Sequence, residues 1–243
     1  MRTHVLVTGS TRGIGAATLA AFDPVTATVV GHGTNATGPN VIAADLSRPG
    51  MADTLWDAAL DRLEGRIDVL VNNAGVFEGV APEASLDDWH AAWGRTIQIN
   101  LQAAADLCRR AVLHFKDREP DARTGERGRI VNVASRAAYR GDSPLHWHYA
   151  AAKAGMVGMT KSIARGYASA GILAYTVTPG FVMTGMAEDY LASRGGEKLL
   201  ADIPLGRVAA PEEVADAIVY LSTRAPASMT GAVIDINGAS FVR

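Results

Sequence analysis

Short, unbroken apolar runs alternate with stretches of helical periodicity along most of this chain. Val5–Val7, Ala27–Val30, Val41–Ala43, Ile67–Val71, Ile130–Val133, Ile172–Val177 and Val233–Ile236 each read as a strand. Helical spacing predicts helices from a glycine-rich turn to about Phe22, and over about Met51–Leu63, Leu86–Trp93, Ile97–Phe115, His148–Ala168 and Pro211–Leu221. The last begins on proline, whose missing N–H costs nothing at a helix start. Strands that are apolar throughout belong to parallel sheets covered on both faces. Strand–helix alternation therefore predicts an α/β protein with a Rossmann-type, doubly wound parallel sheet of about seven strands. No linker, repeat or low-complexity tract divides the chain, so residues 1–243 are expected to form a single domain. Gly31–Asn40 and Lys116–Gly128 read as loops, the first from its Gly, Asn, Thr and Pro content.

Composition narrows the picture. With 48% hydrophobic residues, disorder is excluded. A net charge of −2 with both signs mixed leaves no electrostatic footprint for nucleic acid. The single cysteine, Cys108, excludes an internal disulfide, argues for a reducing compartment and reads as packing. Neither a secretory signal nor an apolar run of about 18 residues is visible, so a soluble cytoplasmic protein without membrane contact is expected.

Candidate chemistry centres on Tyr149 and Lys153, four residues apart and so on one helix face, with Ser135 upstream. A phenol near pH 10 is a poor acid–base group at neutrality, but an adjacent ammonium favours the phenolate. A hydroxyl such as Ser135 would hold a carbonyl oxygen against the phenol, which points to proton exchange at a ketone or alcohol oxygen.

A nucleotide end is also visible. Thr8-Gly9-Ser10-Thr11-Arg12-Gly13-Ile14-Gly15 follows the first strand and opens the first helix, where glycines admit a phosphate to free backbone N–H groups. The second strand ends without the carboxylate that would bind a ribose 2′-hydroxyl, and Arg12 suits a 2′-phosphate, so NADP is favoured over NAD. Arg12 reads equally as a solvated loop arginine. Asp45, followed by Leu46, would accept from an adenine amino group or cap the next helix. Asn72, Ala74 and Gly75 stand at the end of the fourth strand, where ligands meet such sheets. His146 and His148 lack a third ligand nearby and read as pocket lining, so no metal is expected.

Together these residues resemble the short-chain dehydrogenase/reductase family over essentially the whole chain. Thr8–Gly15 matches its TGxxxGIG motif, Asn72–Gly75 its NNAG, Ser135 with Tyr149 and Lys153 its catalytic serine and YxxxK, and Pro179-Gly180 with Val182 and Thr184 its PGxxxT. Asn100 stands where the family has a helix asparagine. The general look is similar to 3-oxoacyl-carrier-protein reductases. The resemblance implies that Tyr149 is the general acid, that Lys153 binds the nicotinamide ribose and lowers the tyrosine pKa, and that Ser135 orients the substrate. Asn100 would hold a water linking Lys153 to solvent. It also implies a homodimer or homotetramer and a small carbonyl or alcohol substrate. A 3-oxoacyl thioester is the leading substrate class, with a sugar, polyol, steroid-like or small cyclic alcohol as the alternative. A non-catalytic nucleotide-binding protein would be expected to lose one of the three catalytic residues, and all are present. Residues 183–203 are expected to act as a lid over the substrate. Of two arginines that attract an acyl carrier in such relatives, Arg129 matches one and Ala170 replaces the other.

Overall fold

All seven apolar runs form strands. They are β1 (Thr3–Val7), β2 (Ala27–Gly33), β3 (Val41–Ala43), β4 (Val69–Asn72), β5 (Gly128–Val133), β6 (Ile172–Pro179) and β7 (Val233–Ile236). The structure is a computed structural model that describes residues 2–35, 38, 40–183 and 196–243. The strands pair in parallel throughout, in the order β3-β2-β1-β4-β5-β6-β7. Helices connect them: α1 (Gly13–Ala21), α2 (Met51–Arg62), α3 (Leu86–Ile97), α4 (Ala103–Lys116), α5 (Ala137–Arg140), α6 (Trp147–Tyr167), α7 (Gly196–Ala201) and α8 (Pro211–Thr223).

Alternate residues of each strand face opposite helix layers. Leu6, Leu70 and Ile130 pack with Leu55, Trp56, Leu107 and Phe115 of α2 and α4. Val5, Val7, Val71 and Val131 pack on the other face with Val214, Ile218 and Leu221 of α8. Burying each such large side chain fully stabilises the fold by roughly 1.5–3 kcal/mol.

Two expectations need correction. Strand β2 does not stop at Val30. It runs through Gly31-His32-Gly33, which pair with Val41, Ile42 and Ala43 of β3, while Gly31 also pairs with Val7 of β1. Ladder bonds on both sides outweigh the turn-like composition. The expected helices at 86–93 and 97–115 are one helical run, in which Gln98–Gln102 forms a π-turn between α3 and α4. Among the described residues, no helix separates β2 from β3.

The order in which strands are added reverses between β1 and β4, and such a switch point leaves a crevice at the strands' carboxyl ends, where ligands bind in such sheets.

Candidate active site

The glycine loop sits in this crevice because two glycines let it. Gly9 has φ +64°, and a Cβ there would lie 2.7 Å from Ala74 Cα. A Cβ on Gly15 would lie 2.1 Å from Gly9 O. Helix α1 starts with Arg12 in extended conformation and no side-chain cap, so the first N–H groups at Gly13, Ile14 and Gly15 face the crevice uncapped. The Arg12 side chain is exposed, and its guanidinium makes no ion pair with any described residue. An open, uncapped cradle with a nearby free guanidinium and no strand-end carboxylate suits a dinucleotide carrying an extra phosphate.

Not every expected residue offers its side chain. Ser10 turns back to β2: its N–H donates to His32 O at 2.8 Å and its Oγ accepts from His32 N–H at 2.9 Å. Asn72 faces the core, where its amide nitrogen donates to Asn132 Oδ1 at 2.8 Å and reaches Cys108 Sγ at 3.3 Å. Asn72 shares its strand face with buried Leu70, two residues earlier, so the strand period already marked it as inward. Asn73 is the residue that ties β4 to the glycine loop, donating to Thr8 O at 3.1 Å and Gly9 O at 3.0 Å. The Asp45 carboxylate accepts from Ser47 N–H at 3.0 Å and Ser47 Oγ at 2.7 Å, bonds that hold its pKa below the ordinary value. It therefore closes a turn, and α2 begins later, at Met51 with Gly50 as its cap. Leu46 is buried in the core beside it.

At the catalytic end, Tyr149 lies on the first turn of α6 and Lys153 one turn on. Ser135, just after β5, stands close enough to the Tyr149 phenol to pull its pKa downward. Lys153 is buried, with Nζ 5.8 Å from the Tyr149 ring centre and donating to Val133 O at 2.8 Å. Gly75 lies against it, since a Cβ there would be 3.6 Å from Lys153 Nζ. The nucleotide end and the catalytic end thus adjoin.

In this structure burial outweighs the charge relation of the pair. Burial pushes the Tyr149 phenol up to about 12, only partly offset by the nearby Ser135 hydroxyl. Burial likewise pushes the Lys153 ammonium down to about 8. Desolvation, not ammonium–phenolate attraction, dominates both groups.

Asn100 lies in the π-turn, a distortion that often marks functional sites. Its Oδ1 accepts from Val76 N–H and its Nδ2 donates to Val76 O, both at 2.8 Å. Both ends of its amide brace the loop after strand β4, so the side chain acts as a clamp on that loop.

Around the mouth, the Phe77 ring stacks on His146 at 3.8 Å and meets Tyr149 edge-on at 4.8 Å. His148 is fully buried against Trp93. Pro179 O accepts from Arg136 N–H at 3.0 Å, Gly180 N–H donates to Ile236 O at 2.9 Å, and buried Val182 bridges to Ala209. Thr184, and with it residues 184–195 of the lid expected over 183–203, lie outside the described residues. Just after α7, Asp202 accepts from Arg140 at 2.6 Å and pairs with Arg136 at 3.4 Å.

Arg129 does not offer the exposed charge that the resemblance to carrier-using relatives would give it. Its guanidinium is largely buried, forked onto both carboxylate oxygens of Glu126 at 2.9 Å and donating to Leu221 O at 2.9 Å. A guanidinium so committed is not a surface charge.

Comparison with known proteins agrees with this geometry. A family model described as enoyl-(acyl carrier protein) reductase matches residues 9–239. The 3-oxoacyl-(acyl-carrier-protein) reductase of Synechocystis sp. is 36% identical over 253 residues, covering 96% of this chain and 94% of the relative. The corresponding protein of Thermotoga maritima is 35% identical, covering 96% and 95%. A solved structure from Agrobacterium tumefaciens, described as a putative 2-deoxy-d-gluconate 3-dehydrogenase with bound NADP, superposes with a TM-score of 0.83 at 27% identity, covering 99% of this chain and 97% of that one. With a match this extensive, the chain belongs to the short-chain dehydrogenase/reductase family of NAD(P)-dependent oxidoreductases.

Proposed function

We propose that the protein is an NADP-dependent oxidoreductase that interconverts a ketone and its secondary alcohol. The observation that carries this is the convergence of the Ser135 hydroxyl, the Tyr149 phenol and the buried Lys153 ammonium beside an uncapped helix start. When bound, NADP supplies or accepts the hydride. Gly9, Gly13, Ile14 and Gly15 would hold its pyrophosphate, and Arg12 its 2′-phosphate. Ala74, Asp45 and Leu46 would border the adenine. Gly75, Pro179, Gly180, Val182 and Thr184 would border the nicotinamide. In reduction, Ser135 Oγ holds the carbonyl oxygen and Tyr149 gives it a proton as the alcohol forms. Lys153 binds the nicotinamide ribose and favours the resulting phenolate. Asn100 keeps the Val76 backbone, and with it Gly75, in place against Lys153.

The substrate on this reading is a small ketone or an acyl thioester that reaches the site without a carrier protein, because Arg129 is already paired. Residues 183–203 would close over it. The rings of Phe77, Trp147 and His146 at the mouth favour an apolar or cyclic group, and the likeness to the gluconate-type dehydrogenase keeps a sugar or polyol as the second reading. The family commonly assembles through paired helices. Here α4 and α6 leave Leu113 and Tyr167 exposed beside Met159 and Ile163, a face suited to a homodimer or homotetramer. A soluble, cytoplasmic location fits the single reduced cysteine.

The test is to follow NADPH and NADH oxidation with a panel of 3-oxoacyl thioesters, cyclic ketones and keto-sugars. Turnover of at least one ketone, faster with NADPH, is expected. Absence of turnover across the panel in both directions would reject the reading.

A further inference from the structure

Strand β2 carries a histidine where it passes beneath the glycine loop. His32 is 3% exposed. Its Nδ1 faces Gly9 N–H at 3.1 Å, and its Nε2 faces Ala44 O at 2.8 Å. A backbone N–H can only donate, so Nδ1 must accept. Nε2 must then carry the proton, which it donates to Ala44 O. The ring is neutral and held in one tautomer. Gly9 belongs to the glycine loop, and Ala44 immediately precedes Asp45 and Leu46. A single imidazole therefore spans two separate loops that border the nucleotide crevice. The backbone of His32 joins in, exchanging hydrogen bonds with the N–H and hydroxyl of Ser10.

We propose that His32 is a positioning residue for the cofactor: its Nε2–H imidazole sets the spacing between the glycine loop and the loop after β3. This rests on the reading of those two loops as the NADP cradle. No other side chain connects Gly9 to Ala44 among the described hydrogen bonds. Backbone N–H groups bind phosphate well only when fixed in place beforehand, so a loosened Gly9 weakens binding without touching the groups that move protons. Burial of the ring lowers its pKa, in keeping with the neutral form.

The test compares His32→Leu, which removes both ring contacts, with His32→Asn, whose amide oxygen can still accept from Gly9. NADPH affinity is measured by calorimetry on the full-length protein, with kcat and KM taken for the best ketone of the panel. His32→Leu is expected to raise Kd and KM for NADPH about tenfold, as loss of two modest hydrogen bonds implies. Its kcat at saturating NADPH should stay within about twofold of wild type, and His32→Asn should recover most of the affinity. In the wild type, nitrogen NMR should find the proton of His32 on Nε2. Unchanged NADPH affinity in a folded His32→Leu protein, an equal loss in both variants, or the opposite tautomer would overturn the proposal. Failure of the wild type to bind either nicotinamide dinucleotide would instead reject the cradle reading itself.

Discussion

Lys153 donates a 2.8 Å hydrogen bond to Val133 O, the one hydrogen-bond acceptor its buried ammonium has among the described residues. A cation held this way costs stability. The drop from 10.5 to about 8 corresponds to roughly 3 kcal/mol against the charged form. Lys153→Met should therefore abolish turnover yet raise the melting temperature of the cofactor-free protein by a few degrees, after allowing for the orphaned Val133 carbonyl. The sign with pH is fixed. The folded pKa lies below the unfolded one, so the cost is full below about pH 8 and fades toward pH 10.5. Calorimetric melts at pH 7 and pH 10 check this; a variant less stable than wild type at pH 7 would contradict it.

Tyr149→Phe keeps the ring edge against Phe77 but removes the proton donor. A fall in kcat of about 10²–10⁴-fold is expected, with NADPH affinity nearly intact. Retention of more than about a tenth of the wild-type rate would show that another group supplies the proton.

Arg12 is exposed beside the uncapped start of α1. Arg12→Ala should weaken NADPH binding roughly tenfold or more and leave NADH nearly unchanged, since a charged hydrogen bond contributes about 1.5–3 kcal/mol. Parallel titrations with the two dinucleotides decide it. Equal losses for both would remove the 2′-phosphate from the account.

His32, His114, His146 and His148 all have pKa values lowered chiefly by burial. The folded state thus holds fewer protons than the unfolded chain just below pH 6.5, and stability should fall as pH drops through that point. Urea midpoints measured from pH 7.5 to pH 5 should decrease steadily. A flat profile would mean that these rings protonate freely in the native state.

The paired Arg129 leads to a comparison of one 3-oxoacyl group on carrier protein and on coenzyme A. Similar kcat/KM values are expected, with little effect of salt on their ratio. A carrier advantage above about a hundredfold that fades with salt would reveal a docking surface elsewhere.

Much of this was legible before any coordinates. Buried parallel strands carry unbroken apolar runs, so each of the seven strands showed in the sequence, β2 only in its first half. The glycine loop, Ser135, Tyr149 and Lys153 were legible because fixed spacing on a strand–turn–helix unit leaves little choice of geometry. His32 was hidden because Gly31-His32-Gly33 has turn composition, and its strand pairing comes from residues ten positions away. The π-turn leaves no periodic trace in five residues. Arg129 looked available because a strand-edge arginine and a paired one read alike, although Glu126 three residues earlier was a hint. The sense of the Tyr149 and Lys153 shifts could not be read either, because spacing says nothing of how deeply a pair is desolvated.

The π-turn at Gln98–Gln102 also bears on how this chain tolerates length change. Such a turn holds one residue more than an α-helix needs. Deleting one residue there would let α3 and α4 join as a regular helix, an outcome that helix formation alone welcomes. The flanking halves would keep their faces, because the widened turn already absorbs the extra residue, but the residues within the turn would shift by one position. Asn100 would swing away from Val76, and the loop carrying Gly75 would lose its brace. Loss of a single codon at this point would thus yield a better helix and a poorer enzyme, whereas a deletion in the polar connection before β5 leaves the site's geometry to the sheet.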